Sequence, residues 1–445
     1  MASSRRRGVV AIPVPGRGHI NPMMVLSRQL IARGVHVTFI VTEEWLSLIN
    51  SAHPLPPPEL KIMTIPNCIP SESVRGKDHP GFIKAVYTKM GEPVEELLDR
   101  LEPAPQVIIA DTYLPWAVDV GNKRGIPVCA LSTMPAVFFS MLLHFERIPP
   151  PENPHSPVRE KDELLEKYIP SIPSMKLSDV NPMFAMSTLE LALQAASAAK
   201  KAQCMLFTSF YELEPFTIDS IREDLNYPLY AIGPTIPHML LQEANSSDHL
   251  TWLDNQPKNS VLYISLGSFL SVSPSQFEEI AKGVHACEVK FLWVARENCS
   301  LVQEICGDNG LVVPWCDQLK VLTHPSVGGF LTHCGYNSTL ETLFAGVPVL
   351  ALPIFWDQLS NSRLLTDECN VGLNLRDIKG KKGILSREEI KNAVKKLMDL
   401  RNSESNEMRK RASNWSRVAN RAIKEGGSSF ISLSNFISDF IDEEN

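Results

Sequence analysis

The sequence predicts an α/β fold made of two similar halves, each a parallel sheet flanked by helices. Three observations predict it. Short β-branched runs alternate with helical stretches from Val9 onward, the alternation starts afresh near Ser260, and several strand-like runs end in polar residues beside a glycine. Ligands of open α/β sheets sit beyond the C-terminal ends of the strands, so the two sheets are expected to face each other across a binding cleft.

In the first half, Val9 to Val14 reads as a strand. The loop PGRGHINP follows, Pro22 opens a helix, and MMVLSRQLIARG runs helically to Gly34. VHVTFIVT and KIMTIP are the next strands, separated by the Pro-rich HPLPPPEL, and segment 71–106 mixes loop and helix. PQVIIAD is a strand ending at Asp111, WAVDVGNKRG a helix and IPVCALS a strand. MPAVFFSMLLHFE reads as an apolar helix, and IPPPENPHSPVREKDELL as a long polar loop of the kind that often carries function. QCMLFTSFYELE and LYAIGP supply two more strands, which closes a first domain at 1–234 with a polar linker over 235–250.

The second domain, 251–425, restarts with SVLYISLGS, a strand that ends in Gly267 and Ser268. A helix begun by Pro274, the strands VKFLWVAR and GLVVPW, and the apolar runs VGGFLTH and VPVLALPIF follow. NSRLLTDECNVGL and REEIKNAVKKLMDL read as helical, as does most of the tail 426–445.

Composition narrows the function. Hydrophobic content of 44% and charged content of 21% are those of a globular protein, and a net charge of −7 argues against nucleic acid as a partner. The nine cysteines are scattered without metal-type spacing, which suits a reducing compartment. The longest apolar stretch, from Val128, is 16 residues with Pro135 inside it, too short for a membrane span. MASSRRRGVVAIPVPG has no adequate apolar core for a signal peptide, so the expected place is the cytoplasm.

Several residues carry candidate chemistry. Gly16-Arg17-Gly18-His19 follows the first strand, where a dinucleotide fold would carry G-x-G-x-x-G, but Asn21 replaces the third glycine. Glu43 and Glu44 stand where a ribose-binding acid would be. In another reading His19 is a general base, because an imidazole titrates near 6.5 and this one faces the ligand end of the sheet. Asp111 then holds the far nitrogen of His19; Asp119 is the second choice. From Trp315 to Gln358 a strand ends at Thr332 and His333, Gly335 allows a turn, and Asn337 and Ser338 are N-cap types ahead of the helical STLETLFAG. Such a turn aims backbone N–H groups and a helix dipole at one point, a phosphate site. Trp315 offers a flat ring for a base, and Asp357 and Gln358 arrive at the end of the next strand.

This 44-residue block resembles the signature box of plant family 1 glycosyltransferases, UDP-sugar-dependent enzymes that glycosylate small molecules. Trp315, Gln318, His333, Gly335, Asn337, Ser338, Glu341, Asp357 and Gln358 fall in register, while Tyr336 stands where the family usually has Trp. The resemblance implies the GT-B arrangement of two Rossmann-like domains, with the acceptor on the first, the UDP-sugar on the second and the tail 426–445 packing back on the first. It implies His19 as catalytic base with Asp111 as its partner, and Ser268 at the β-phosphate. Trp315 would stack on uracil with the Cys316 backbone at its edge, and Gln318 and Glu341 would hold ribose. His333, Gly335, Asn337 and Ser338 would meet the diphosphate, and Tyr336, Asp357 and Gln358 the sugar; a terminal Gln resembles glucose users. The expected reaction is inverting transfer of glucose from UDP-glucose to a hydroxyl or carboxyl of a small hydrophobic acceptor: a terpenoid, phenolic, flavonoid or hormone. No cofactor and no metal is expected, since no D-x-D motif is present, and the chain is expected to act as a monomer. A non-catalytic UDP-sugar-binding protein and a dinucleotide-dependent oxidoreductase stay open beside it.

Overall fold

The computed structural model describes residues 8–51, 56–153, 162–242, 247–267, 272–378 and 384–442. The chain divides into two compact units, Met1–Ile236 with Ala422–Asn445, and Pro237–Arg421.

The first unit is built on β1 (Gly8–Ile12), β2 (His36–Thr42), β3 (Lys61–Ile65), β4 (Val107–Asp111), β5 (Val128–Ser132), β6 (Cys204–Phe207) and β7 (Leu229–Ala231). They form one parallel sheet in the order β3-β2-β1-β4-β5-β6-β7. All five residues of β4 are buried, as expected of a parallel strand covered on both faces. The strand order reverses between β1 and β4, which makes their paired C-terminal ends the switch point of this sheet.

The helix after β1 starts earlier than the sequence suggested. It spans Arg17–Ile31, with Pro22 inside it and His19 in its first turn instead of in a loop. The Gly16 carbonyl accepts from His19 N (3.0 Å) and Ile20 N (2.8 Å), closing a helical turn ahead of the proline, which withholds only one donor.

The second unit repeats the plan. Its strands are β8 (Val261–Ser265), β9 (Lys290–Val294), β10 (Gly310–Val313), β11 (Val327–Thr332), β12 (Val349–Ala351) and β13 (Gly372–Asn374). The order is β10-β9-β8-β11-β12-β13, again parallel, so its switch point lies between β8 and β11. The edge strand β13 is a correction: its residues read as the end of a helix. Only three residues pair, and their single large apolar side chain leaves no alternation to detect.

Each sheet has its own core. Phe39, Ile109, Leu131 and Phe436 meet in the first; Ile264, Trp293, Leu331 and Val394 meet in the second. The helix Ser428–Phe440 belongs to the first unit, where Leu433, Phe436 and Ile437 join Tyr230 and Ile232 in the core. Tyr230 Oη donates to Asp439 Oδ2 (2.5 Å) and Ser428 Oγ to Glu212 Oε2 (2.9 Å). The helix Asp248–Asp254 begins within the stretch expected as linker. Among the described residues no helix is long and apolar enough to cross a membrane, and no cluster of His, Cys, Asp or Glu is placed to hold a metal ion. All nine cysteines are free thiols.

Candidate active site

In the first unit, three adjacent strands deliver three side chains to one spot. His19 follows β1, Asp111 ends β4 and Thr133 follows β5. His19 Nδ1 lies 2.7 Å from Asp111 Oδ2, and the Asp111 side chain is fully buried. A buried carboxylate must be met by donors. Here Asp111 Oδ1 accepts from Tyr113 N (3.0 Å), while Thr133 Oγ1 donates to Oδ2 at 3.4 Å and sits 2.8 Å from His19 Nδ1. The carboxylate can only accept, so the proton between the two residues belongs on Nδ1. Nε2 is then the basic nitrogen, on a ring whose side chain keeps 20% of its surface exposed. The Tyr113 ring stands edge-on to the imidazole at 6.2 Å. Asp119 is exposed on the helix Pro115–Arg124.

Thr133 was missed in the sequence, although it sits just past a strand next to β4 in the sheet. Glu44, the candidate ribose-binding acid of a dinucleotide site, is occupied: Oε1 accepts from Ser71 Oγ (2.5 Å) and Oε2 from Glu72 N (3.1 Å). His144 at the end of the apolar helix Ala136–Leu143 is turned to Asp224, with Nε2 to Oδ2 2.8 Å. Phe138, Phe139, Tyr113 and Met134 line a small hollow beside Thr112.

In the second unit the chain leaves β11 through His333 and Cys334, which takes a left-handed φ of 63°, and enters the helix Tyr336–Ala345 with Gly335 as its N-cap. Asn337 and Ser338 are therefore in the first helical turn, one step inside the expected cap. The left-handed turn at Cys334, held by Cys334 N to Thr332 Oγ1 (3.0 Å), starts the helix sooner. The N–H groups of that first turn have no intrahelical acceptor, and they point out of the ligand end of the sheet.

The His333 ring lies between two glycines. A Cβ on Gly267 or on Gly335 would stand 2.5 Å from His333 Nε2, so neither position tolerates a side chain. Burial pulls the His333 pKa down to about 4, against a smaller opposing interaction with the Ser265 backbone, so the ring is neutral at physiological pH. Ser268 lies outside the described residues.

The remaining residues of the box form a connected network. Gln318 Oε1 accepts from Tyr263 Oη (3.1 Å), while its Nε2 donates to Ser338 Oγ (2.8 Å) and Glu341 Oε2 (2.6 Å). Gln318 thus orients Glu341 and Ser338. Burial pushes the Glu341 carboxyl up to about 7. Trp315 is 55% exposed, so its ring is open to a ligand and not buried in the core. Cys316 is buried with Sγ 3.4 Å from Tyr263 Oη, and burial raises its thiol to about 12. Tyr336 is buried at 4% exposure. Gln358 Oε1 accepts from Ile354 N (2.9 Å) and Phe355 N (3.1 Å), which fixes the amide and leaves its NH₂ as the group able to meet a ligand. Asn361, unmarked in the sequence reading, donates to Asp357 Oδ2 (2.7 Å) and to the Cys334 carbonyl (2.8 Å). Its i+4 spacing from Asp357 on a helix was the available signal. His324 is structural, held between Ser326 and Asp254.

Residues 183–414 match the family model described as UDP-glucoronosyl and UDP-glucosyl transferase. UDP-glycosyltransferase 87A2 of Arabidopsis thaliana is 46% identical over 97% of this chain and 96% of its own length; 87A1 of the same plant is 44% identical over 96% and 99%. Among solved structures, Os79 from O. sativa in complex with U2F and trichothecene superposes with a TM-score of 0.86 at 26% identity, covering 97% of this chain and all of that one. Phytolacca americana UGT2 complexed with UDP-2fluoro-glucose and pterostilbene gives 0.81 at 27% identity, covering 98% of this chain and all of that one.

Proposed function

The chain belongs to the plant family 1 UDP-glycosyltransferases, and from that premise we propose that it moves glucose from UDP-glucose to a hydroxyl or carboxyl of a small hydrophobic acceptor. The observation that carries the reading is the His19–Asp111 pair. A buried carboxylate fixes the Nδ1–H tautomer and leaves Nε2 free to take a proton. A hydroxyl acceptor, held by the first unit, loses its proton to Nε2 as its oxygen attacks the anomeric carbon, whereas a carboxylate acceptor attacks already ionised. The bond from that carbon to the diphosphate oxygen breaks, UDP leaves from the opposite face, and an α-linked donor gives a β-glucoside. Asp111 stabilises the imidazolium formed in the step.

UDP belongs to the second unit in this reading. Uracil lies on the exposed Trp315 ring, and ribose donates to Glu341. The first turn of the helix Tyr336–Ala345 and neutral His333 donate to the diphosphate as negative charge grows on it. These donors do the work a metal ion does in other transferases. The Gln358 amide and Asp357 meet the sugar, and glucose as donor is supported by the Asp-Gln ending of the box. The free thiols favour a reducing compartment such as the cytoplasm.

The test is UDP release with UDP-glucose or UDP-galactose and a mixed panel of phenolic and terpenoid alcohols and acids. Acceptor-dependent release with UDP-glucose supports the reading. Release with UDP-galactose alone overturns the donor and turns attention to Tyr336. No acceptor-dependent release with either overturns the transfer.

A further inference from the structure

The glycine that opens the incomplete dinucleotide fingerprint, and the acid that would have completed it, serve the same short segment. A Cβ on Gly16 would lie 2.3 Å from Arg75 Nη1 and 3.8 Å from His19 Cδ2. The Arg75 guanidinium therefore fills the space that the missing side chain leaves, on the flank of the imidazole. Arg75 is buried at 9% exposure. Its Nη1 donates to the Pro15 carbonyl (3.3 Å), Nη2 pairs with Glu72 Oε1 (2.9 Å), and its Cζ stands 5.6 Å from the centre of the Phe82 ring. Held by these contacts, the guanidinium cannot simply swing aside for a methyl group. Glu44 anchors the other end of the segment through Ser71 Oγ and Glu72 N. A chain of contacts thus runs from the end of β2, through residues 71–75, to the turn whose Gly16 carbonyl receives the amide of His19.

We propose that Arg75 is a positioning residue for His19. By gripping the Pro15 carbonyl and filling the gap at Gly16, it sets where the first turn of the helix places the imidazole. The inference rests on His19 being the base of the proposed function. A base displaced by a fraction of an ångström loses rate without losing donor affinity, because the donor is held by other residues.

Arg75→Gln, Gly16→Ala and the double variant test it in the full chain, with melting curves to verify folding. The expected result for Arg75→Gln is a kcat lowered about tenfold, with KM for UDP-glucose within about twofold of the unaltered protein. Gly16→Ala should show the same split, and the double variant should be no slower than Arg75→Gln, since both changes act on one contact. If Arg75→Gln fails to fold, Gly16→Ala reads the same geometry with one added methyl. A kcat within about twofold in the folded variants, or a KM that moves in step with kcat, overturns the proposal. If the unaltered chain shows no transfer, the proposed function falls, and positioning is read separately. The deshielded Nδ1 proton of His19, assigned by its loss in His19→Ala, should shift or broaden in Gly16→Ala, and an unchanged signal overturns the proposal.

Discussion

Glu341 should make donor binding depend on pH in a way that can be counted in protons. Its carboxyl is buried against the Gln318 amide and titrates at about 7. In the proposed binding mode it accepts from ribose hydroxyls, for which it must be ionised, so binding competes with its proton. With a pKa of about 7, the dissociation constant for UDP-glucose should be nearly flat above pH 8 and rise about tenfold between pH 8 and pH 6. The complex should release about 0.9 proton on forming at pH 6 and about 0.5 at pH 7. Calorimetry in two buffers of different ionisation enthalpy reads this number directly. UDP-glucose without acceptor is the right ligand, because UDP itself carries a terminal phosphate titrating near 6. Glu341→Gln should bind about tenfold to a hundredfold more weakly at pH 8 and lose the pH dependence. Unliganded stability should move too. The native carboxyl holds its proton more tightly than the ordinary value of 4.5, so stability falls as pH rises from there to about 7, by about 3 kcal/mol, then levels. A dissociation constant unchanged from pH 8 to pH 6 without proton release, or a Glu341→Gln protein that keeps the dependence, would refute the reasoning.

Three further outcomes are expected. His19→Ala should abolish transfer with UDP binding within about twofold, and Asp111→Asn, which keeps the shape but loses the charge, should lower kcat about a thousandfold in single-turnover assays. Thr133→Val removes one donor to Asp111 and should lower kcat about tenfold at constant KM; an unchanged kcat makes Thr133 a bystander. Gln358→Glu keeps the oxygen that accepts from Ile354 N and Phe355 N but replaces the NH₂. It should raise KM for UDP-glucose about tenfold while the affinity for UDP alone stays put, as competition binding with both ligands would reveal.

The sequence was a good guide where a signal is local. Long β-branched runs such as VIIAD and VHVTFIVT mark strands because parallel strands bury both faces. His19 and Asp111 could be paired because one follows the first strand and the other ends a strand, both at the ligand end of the sheet. What was not legible depends on three-dimensional neighbours. Thr133 matters only because β5 lies next to β4. The early start of the helix at Arg17 is set by the turn at Gly16, which reads in sequence only as the first glycine of an incomplete dinucleotide fingerprint, whereas its empty Cβ position is filled by Arg75. Gln318 and Glu341 carry the same residue types whether or not they touch each other, and only the structure shows the 2.6 Å bond between them. The three-residue β13 has too little pattern to separate from the end of a helix.

The C-terminal helix Ser428–Phe440 has a consequence for how the protein is made. It follows the whole second unit in the chain, yet its Leu433, Phe436 and Ile437 complete the core of the first. During synthesis the first unit must wait, with the apolar surface at Tyr230 and Ile232 uncovered, until some two hundred further residues have left the ribosome. A chaperone would find its target there, on the half translated first. A fusion or truncation at the far end of the chain would likewise damage the first unit and leave its sequence neighbour, the second unit, intact.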